Sequence, residues 1–268
     1  MNPRAKRRRR QVDELVDRVA LEELLAAQGP IEMAPVAVVI AAYKERENIA
    51  HVVGAMPKEI CGLAVSVLVV VDGEDDGTAA EVRSAGHYAC IAPVNRGQGA
   101  ALRLGYRIAR EHGASYIVTA DGDGQTDPDD LGVVLEPVIS GRADFVNGSR
   151  RLGETHVSDV VRNTGVVVFA AVISLLTRTP VTDTANPVRG FRAELPAELT
   201  LDEPQYQASE LLIGAIMQGC RYEERPVTFR ARHKGKSKKS GNFLYGLRYG
   251  RVVVRTFVRE RARARRRS

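Results

Sequence analysis

Asp121-Gly-Asp-Gly-Gln125 sets oxygen-bearing side chains at alternate positions with glycine between them. In extended backbone, residues two apart point the same way, so Asp121, Asp123 and Gln125 can converge on one point. Two carboxylates and an amide oxygen suit a hard divalent cation, Mg2+ or Mn2+, that leaves positions open for phosphate oxygens. The same residues also make an ordinary solvated acidic turn, since Asp and Gly are common in loops. Flanking sequence favours the metal. Tyr116 to Ala120 is a short apolar run rich in β-branched residues, which reads as a buried strand, and Asp127-Pro128 opens a helix after it. Open α/β sheets bind ligands beyond the carboxyl ends of their strands, where this cluster falls.

Other elements must bring partners to the same edge. Val36 to Ala42 is an unbroken Val/Ile/Ala run of the kind buried in a parallel sheet; it ends at Tyr43-Lys-Glu45. Leu63 to Val71 is a second strand, followed by Asp72-Gly-Glu-Asp-Asp-Gly-Thr78. Ala89 to Ala92 makes a third, leading to Asn95-Arg-Gly-Gln-Gly99, and Asp144 to Asn147 a fifth. Helical patterns lie between them, so the reading is an α/β fold with a doubly wound, mostly parallel sheet. Right-handed crossovers then set all the strand-end loops along one edge. An aromatic face with carboxylates (Tyr43, Glu45, Asp72) can hold a nucleoside, while Arg96 and a metal suit a diphosphate. No Gly-x-x-x-x-Gly-Lys-Ser/Thr loop is present, which argues against a P-loop NTPase, and Asn95 to Gly99 is not a dinucleotide fingerprint.

Charge is unevenly spread over the 268 residues. Residues 1–10 carry six Lys/Arg and no acid, and residues 255–268 seven Arg and one Glu, so the ends together hold +12. The net charge is +6, which leaves −6 on residues 11–254. Arg-rich ends suit nucleic acid or an anionic membrane, or serve as solubilising tails. Neither end interleaves aromatics among its basic residues, so the expectation is an anionic membrane surface and no nucleic acid. Cys61, Cys90 and Cys220 are far apart and read as reduced thiols. With no signal-type apolar core and no run of about 20 apolar residues, the expected location is cytoplasmic, soluble or peripheral at the inner face of the membrane.

In this order the motifs resemble a family-2 glycosyltransferase with the GT-A fold. They are most similar to the dolichol- or polyprenol-phosphate mannosyltransferase branch. Val38-Val-Ile-Ala-Ala-Tyr-Lys-Glu45 resembles the branch's first strand signature, with Ala41 at its Pro and Lys44 at its Asn. Val70-Val-Asp-Gly-Glu-Asp-Asp-Gly-Thr78 is one residue shorter than the usual second motif. Asn95-Arg-Gly-Gln-Gly-Ala-Ala101 carries Gln98 at a usual Lys, and Asp121 to Gln125 resembles the metal motif. The resemblance covers about residues 36–240. It implies a GT-A domain at 36–242, after a basic tail and short helix at 1–35 and before a C-terminal amphipathic helix and Arg-rich tail at 243–268.

It implies inverting transfer of a sugar, mannose from GDP-mannose favoured, to a polyprenyl phosphate. Contacts to the nucleotide sugar are expected from Ala41, Tyr43, Glu45, Asp72, Arg96, Gly97, Asp121, Gly122, Asp183 and Arg232. Metal ligands are expected at Asp121, Asp123 and Gln125, and catalytic roles at Asp123, Glu210, Arg232 and Lys238. The last two lie in Arg232-His-Lys-Gly-Lys-Ser-Lys238, which is similar to a phosphate-closing loop of the branch. Asp183 to Arg192 loosely resembles a sugar-site segment, which brings in Asn186, although Asp183 is equally readable as a turn residue. Val166 to Leu176 is an apolar run too short to span a bilayer; it is either a core helix or an interfacial one. Glu210 is a general base if the acceptor is an alcohol, and a positioning residue if the acceptor is a phosphate, which is already largely dianionic at pH 7. A soluble hydroxyl acceptor therefore stays open as an alternative, as does a non-catalytic nucleotide-sugar-binding protein.

Overall fold

A computed structural model describes residues 3–155, 160–231 and 243–267. The first strand, β1 (Val36–Ala42), lies between β3 (Leu63–Asp72) and β5 (Tyr116–Asp121), parallel to both. β4 (Tyr88–Ala92) adds in parallel to β3, and the two-residue β2 (Glu59–Ile60) forms an antiparallel hairpin with the start of β3. Along β1, Ala37 and Val39 face one layer while Val36, Val38 and Ile40 face the other, and all five are fully buried. Burial on both faces is why this strand is apolar at every position.

One layer holds α1 (Pro3–Gln28), α4 (Gln98–Glu111), α6 (Val160–Thr177), α8 (Gln207–Met217) and α9 (Phe243–Arg267). The other holds α2 (Arg46–Gly54), α3 (Thr78–Ser84) and α5 (Asp130–Ile139). A short α7 (Leu195–Glu198) completes the helices described. The five strands expected from apolar runs are all present. The second half of the sheet adds two that carry charges: β7 (Arg189–Arg192) inserts antiparallel between β5 and β6 (Phe145–Ser149), and β8 (Tyr222–Pro226) pairs in parallel with β6.

Both basic ends continue as helix. α1 begins at Pro3 and not at residue 11, and α9 runs through the arginines to Arg267. Arginine has good helix propensity, and no Gly or Pro interrupts α1 after its first residue. Docking does the rest. Val16, Ala20 and Leu24 of α1, and Tyr249, Val252, Val253 and Thr256 of α9, are buried at helical spacing.

The start of α4 lies directly on the segment before α8. The Gly99 amide donates to the Pro204 carbonyl at 2.6 Å, and a Cβ on Gly99 would sit 2.3 Å from the Glu203 carbonyl oxygen. Gly97 has φ +94°, and a Cβ there would be 2.6 Å from the Pro204 oxygen. Neither position has room for a side chain, because the obstacle is backbone. Gly99→Ala is therefore expected to cost about 1–3 kcal/mol, as overpacking typically does. Gly132→Ala on α5, with nothing within 4 Å, is expected to be neutral or stabilising. Urea unfolding of the two variants checks this: equal midpoints would contradict the backbone clash.

Candidate active site

The parallel register levels the strand ends. Ala41 is paired with Asp121 across β1 and β5, Ala42 with Val71 across β1 and β3, and Asp72 with Ala92 across β3 and β4. The loops that follow share one edge, as expected, and bring Ala41, Tyr43, Glu45, Asp72, Gly97, Asp121, Gly122 and Asp123 to it. Gly122 is buried against Ile40, Ile49 and the Ala41 carbonyl, which holds the metal-type motif close to β1. Asp121 is half-buried, and its Oδ1 accepts a hydrogen bond from Gln98 Nε2 at 3.1 Å. Asp123 is buried, with Oδ1 accepting from the Gln125 amide at 3.1 Å in a tight turn. Gln125 exchanges backbone and side-chain bonds with Arg230: its carbonyl accepts from the Arg230 amide, and Nε2 donates to the Arg230 carbonyl at 3.3 Å.

The donor chemistry fits Mg2+ or Mn2+. Both carboxylates are hard oxygen ligands, and a carboxylate offers about four lone-pair sites, of which one hydrogen bond takes one. Gln125 can add only its amide oxygen, because a carboxamide nitrogen is a donor and not a ligand; here it donates to Arg230. Among the described residues no group of three or more His, Cys, Asp or Glu is arranged to hold a metal. The pair at 121 and 123 would therefore need oxygens from the ligand to complete a coordination shell.

Several charged residues expected in the cleft are used elsewhere. Arg96 is turned to α1, where its guanidinium meets Asp17 at 2.6 Å and Asp13 at 3.1 Å. Asp72 is buried, and both its oxygens are committed to the next loop: Oδ1 accepts from the Arg96 amide at 3.0 Å and Oδ2 from the Gly97 amide at 2.7 Å. It shapes the loop after β4 from the neighbouring strand end. Asp75 caps α3 by accepting from the amides of Gly77 and Ala79. Glu45 accepts from Asn48 Nδ2 at 2.8 Å, while Tyr43 remains exposed at the mouth of the edge.

Glu210, expected as a base for an alcohol acceptor, is engaged by groups of the helix layer. It is fully buried, its Oε1 accepts from Arg259 of α9 at 2.7 Å, and its Oε2 accepts from the Glu203 amide at 2.8 Å. Burial pushes its carboxyl pKa up against the pull of these donors. Its role is to fasten α9 to α8. Asp183 is likewise fully buried, gripped by Arg150 at 2.6 and 2.8 Å, and closes the turn to Asn186 through the amides of Ala185 and Asn186. Burial raises its pKa, but the arginine and amide donors outweigh that and leave it below the usual carboxylate range. It holds the segment through these bonds. Arg232 and Lys238 lie outside the described residues.

Behind Asp121 lies a cavity of about 70 Å3, lined by residues including Gln98, Asn186, Arg189 and Gln207. Arg189 and Gln207 were not anticipated from sequence. Arg189 is buried and donates to the carbonyls of Thr184, Asn186 and Ala208; burial pushes its guanidinium pKa down. The only signal for it was a charged residue preceding the apolar Phe191 in a strand interior. Arg150, the partner of Asp183, was also missed.

The sequence profile of Glycosyl transferase family 2 matches residues 37–196. The chain is 29% identical over 227 residues to a dolichyl-phosphate hexose transferase of Haloferax volcanii, spanning 85% of this chain and 96% of that one. It is 32% identical to a polyprenol monophosphomannose synthase of Mycolicibacterium smegmatis, over 76% of this chain and 81% of the relative. Among solved structures, it is similar in fold to glucosyl-3-phosphoglycerate synthase from Mycobacterium tuberculosis in complex with Mn2+, UDP and glucosyl-3-phosphoglycerate. The TM-score is 0.64 at 19% identity, covering 90% of this chain and 82% of that one.

The Arg150–Asp183 pair yields a stability test. Removing one member of a buried pair strands the other, at a typical cost of about 3–5 kcal/mol, so Asp183→Asn is expected to lose that much at pH 7. The folded carboxyl pKa lies below the ordinary 3.8, so the pair's contribution is full above that value and is lost as pH falls through the folded one. Urea unfolding at pH 7 and pH 3 should therefore find the gap between wild type and variant narrowing in acid. A gap that stays constant would mean that Asp183 is not titrating with this pair.

Proposed function

The chain belongs to Glycosyl transferase family 2, and on that footing we propose that it moves a sugar from a nucleoside-diphosphate donor to a polyprenyl phosphate. GDP-mannose is the favoured donor, and residues 36–242 are the catalytic unit. The observation that carries the acceptor half is the cavity lining: among the described residues that line it, Asp121 is the sole carboxylate, and Asp121 belongs to the metal motif. Glu210, the base expected for an alcohol, is held by Arg259. A sugar hydroxyl needs a general base because its pKa is far above 7. A phosphate monoester has a second pKa of about 6 and arrives as a nucleophile without one. The names of the polyprenol-phosphate relatives support the same class.

In this reading Asp121 and Asp123 hold a Mg2+ or Mn2+ that, when bound, offsets the charge developing on the leaving diphosphate. Gln98 fixes the orientation of Asp121 through its amide. The exposed ring of Tyr43 offers a stacking face for the base, and the loop pinned by Asp72 forms the wall beside it. The acceptor phosphate oxygen attacks the anomeric carbon as the diphosphate departs, which inverts the configuration. Arg232 and Lys238 are proposed to close over the two sets of phosphates.

A lipid acceptor calls for a surface that meets the bilayer. Among the described residues no helix is long and apolar enough to cross a membrane. α6 is apolar on both sides: Ala170 and Ile173 are buried, while Val168, Val172 and Leu175 face outward, Leu175 at 80% exposure. Beside it, α9 turns Leu247, Val254 and Val258 outward among Arg251, Arg255 and Arg261. Apolar ridges flanked by arginine suit a helix lying in the plane of an anionic interface.

Two outcomes are expected. Asp121→Asn and Asp123→Asn should each lower transfer on the order of a hundredfold or more and abolish metal-dependent thermal stabilisation by the donor, whereas Glu210→Gln should stay within about threefold per folded molecule. A Glu210→Gln enzyme that folds but is dead would restore the base and with it a hydroxyl acceptor. In vesicle sedimentation, Val254→Asp with Val258→Asp should reduce binding to vesicles containing anionic lipid, and wild type should bind neutral vesicles more weakly. Equal binding in all arms would remove α9 from the membrane contact.

A further inference from the structure

The cavity behind Asp121 is rich in hydrogen-bond donors that lack acceptors. Asn186 is 1% exposed, and its Oδ1 accepts from the Val188 amide at 2.7 Å. That bond sets which way the amide faces and leaves Nδ2 as the group offered; Nδ2 is buried and has no hydrogen-bond partner. Gln207, 2% exposed on the first turn of α8, has an Nε2 that likewise makes no hydrogen bond of full geometry, although its amide lies close to the Tyr106 phenol. Buried donors are rarely left unpaired, because each costs the desolvation of the group with nothing in return. Two of them on one cavity mark it as built for something that accepts.

Charge says what kind of acceptor. Arg189 lines the same cavity at 2% exposure, and its hydrogen bonds go to three backbone carbonyls. Carbonyls satisfy N–H groups but do not neutralise a guanidinium, which has five N–H donors in all. Among the described residues no carboxylate is ion-paired with it; Asp183, the acid of the neighbouring turn, is held by Arg150. A buried cation without a counter-ion is costly, and an anion in the cavity would supply one. The size agrees. About 70 Å3 is well below the roughly 300 Å3 at which pockets begin to enclose whole small-molecule ligands, so this is room for a headgroup.

We infer that this cavity is the subsite for a phosphate monoester dianion, bound through Asn186 and Gln207 with Arg189 as its buried counter-charge. The inference rests on the transferase reading above and deepens it: the reactive phosphate of the acceptor is seated between the 184–189 segment and the start of α8, next to Asp121. The monoester can be the headgroup of a prenyl lipid or part of a water-soluble phosphorylated acid, because the subsite reads only the shared group.

The test uses the full-length protein, Asn186→Asp and Gln207→Glu, near-isosteric changes that replace a donor by a negative acceptor. Inorganic phosphate is the first probe. It should raise the melting temperature of wild type and compete with the acceptor. Both variants should lose that shift while keeping their metal-dependent shift with the donor. In kinetics, acceptor KM should rise about tenfold or more with kcat within about threefold, the pattern of a lost binding contact. Farnesyl phosphate and phosphoglyceric acid form the two acceptor arms. Saturation by the first alone identifies a lipid source and by the second alone a soluble one, and either supports the subsite. If wild type transfers to neither, yet phosphate stabilises it and the variants abolish this, the subsite stands and the transfer reading falls. Phosphate competition on wild type needs no variant, so it decides the matter even if a variant fails to fold. Absence of phosphate stabilisation and competition in wild type overturns the subsite. So do folded variants with unchanged acceptor KM, or variants that lose donor stabilisation instead.

Discussion

The backbone contact between Gly97–Gly99 and Glu203–Pro204 is the constraint on which the site depends. It joins the loop after β4 to the segment that leads into α8, which in the proposed reading are the nucleotide and acceptor sides. Because no side chain intervenes, the two walls approach as closely as main chains can. The cavity is defined by that approach: Gln98 and Gly99 line one wall, and Gln205 to Ala208 the other. Anything that separated these backbones would move Gln98 away from Asp121 and Gln207 away from Asn186 together. Position 99 thus links the metal motif to the acceptor wall without being part of either.

Around that contact the fold spends its charged residues on scaffolding. Arg96 ties the donor loop to α1, Asp72 pins the same loop from beneath, Asp183 and Arg150 close the 183–186 turn, and Glu210 with Arg259 fastens α9 to α8. Each of these groups is wholly or largely buried, and a buried charge must be paired. The partners fix where each group points. The outcome is an edge on which the two carboxylates of the metal motif stand apart from a deeper cavity whose free valences are donors. Opposite preferences at neighbouring positions, cation at the edge and anion behind it, are what the proposed transfer between two phosphates requires.

The legible part of the sequence was the part governed by local pattern. β1, β3, β4 and β5 are largely apolar runs because both faces of the sheet are covered, and Asp121 and Asp123 follow β5 with glycine spacing that forces a turn. β7 and β8 were not visible, since Arg189-Gly-Phe-Arg192 and Tyr222-Glu-Glu-Arg-Pro226 lack any apolar alternation. They are strands because β6 and β5 present unpaired edges to them, a tertiary cause. The residues whose partners were not foreseen share one feature: those partners are distant in sequence. Arg96 finds Asp17 79 residues away, and Glu210 finds Arg259 49 residues away. A spacing argument identifies a carboxylate that can do chemistry, but not which guanidinium it will meet.

The helical ends follow from the same logic of partners. α9 carries nine arginines and one glutamate, a composition that alone reads as a tail. Its inner face nevertheless holds Tyr249, Val252, Val253 and Thr256 at helical spacing against α6 and α8, and Glu260 and Glu210 both accept from Arg259. Tyr249 also donates to the Thr184 carbonyl and receives a hydrogen bond from Ser209, so α9 closes one side of the cavity behind Asp121. The helix therefore has two jobs that cannot be separated. Its inner face completes the wall around Asn186 and Gln207, and its outer face sets leucine and valine among arginines. In the proposed reading, a lipid phosphate reaching the cavity from a membrane would pass along α9, which faces both.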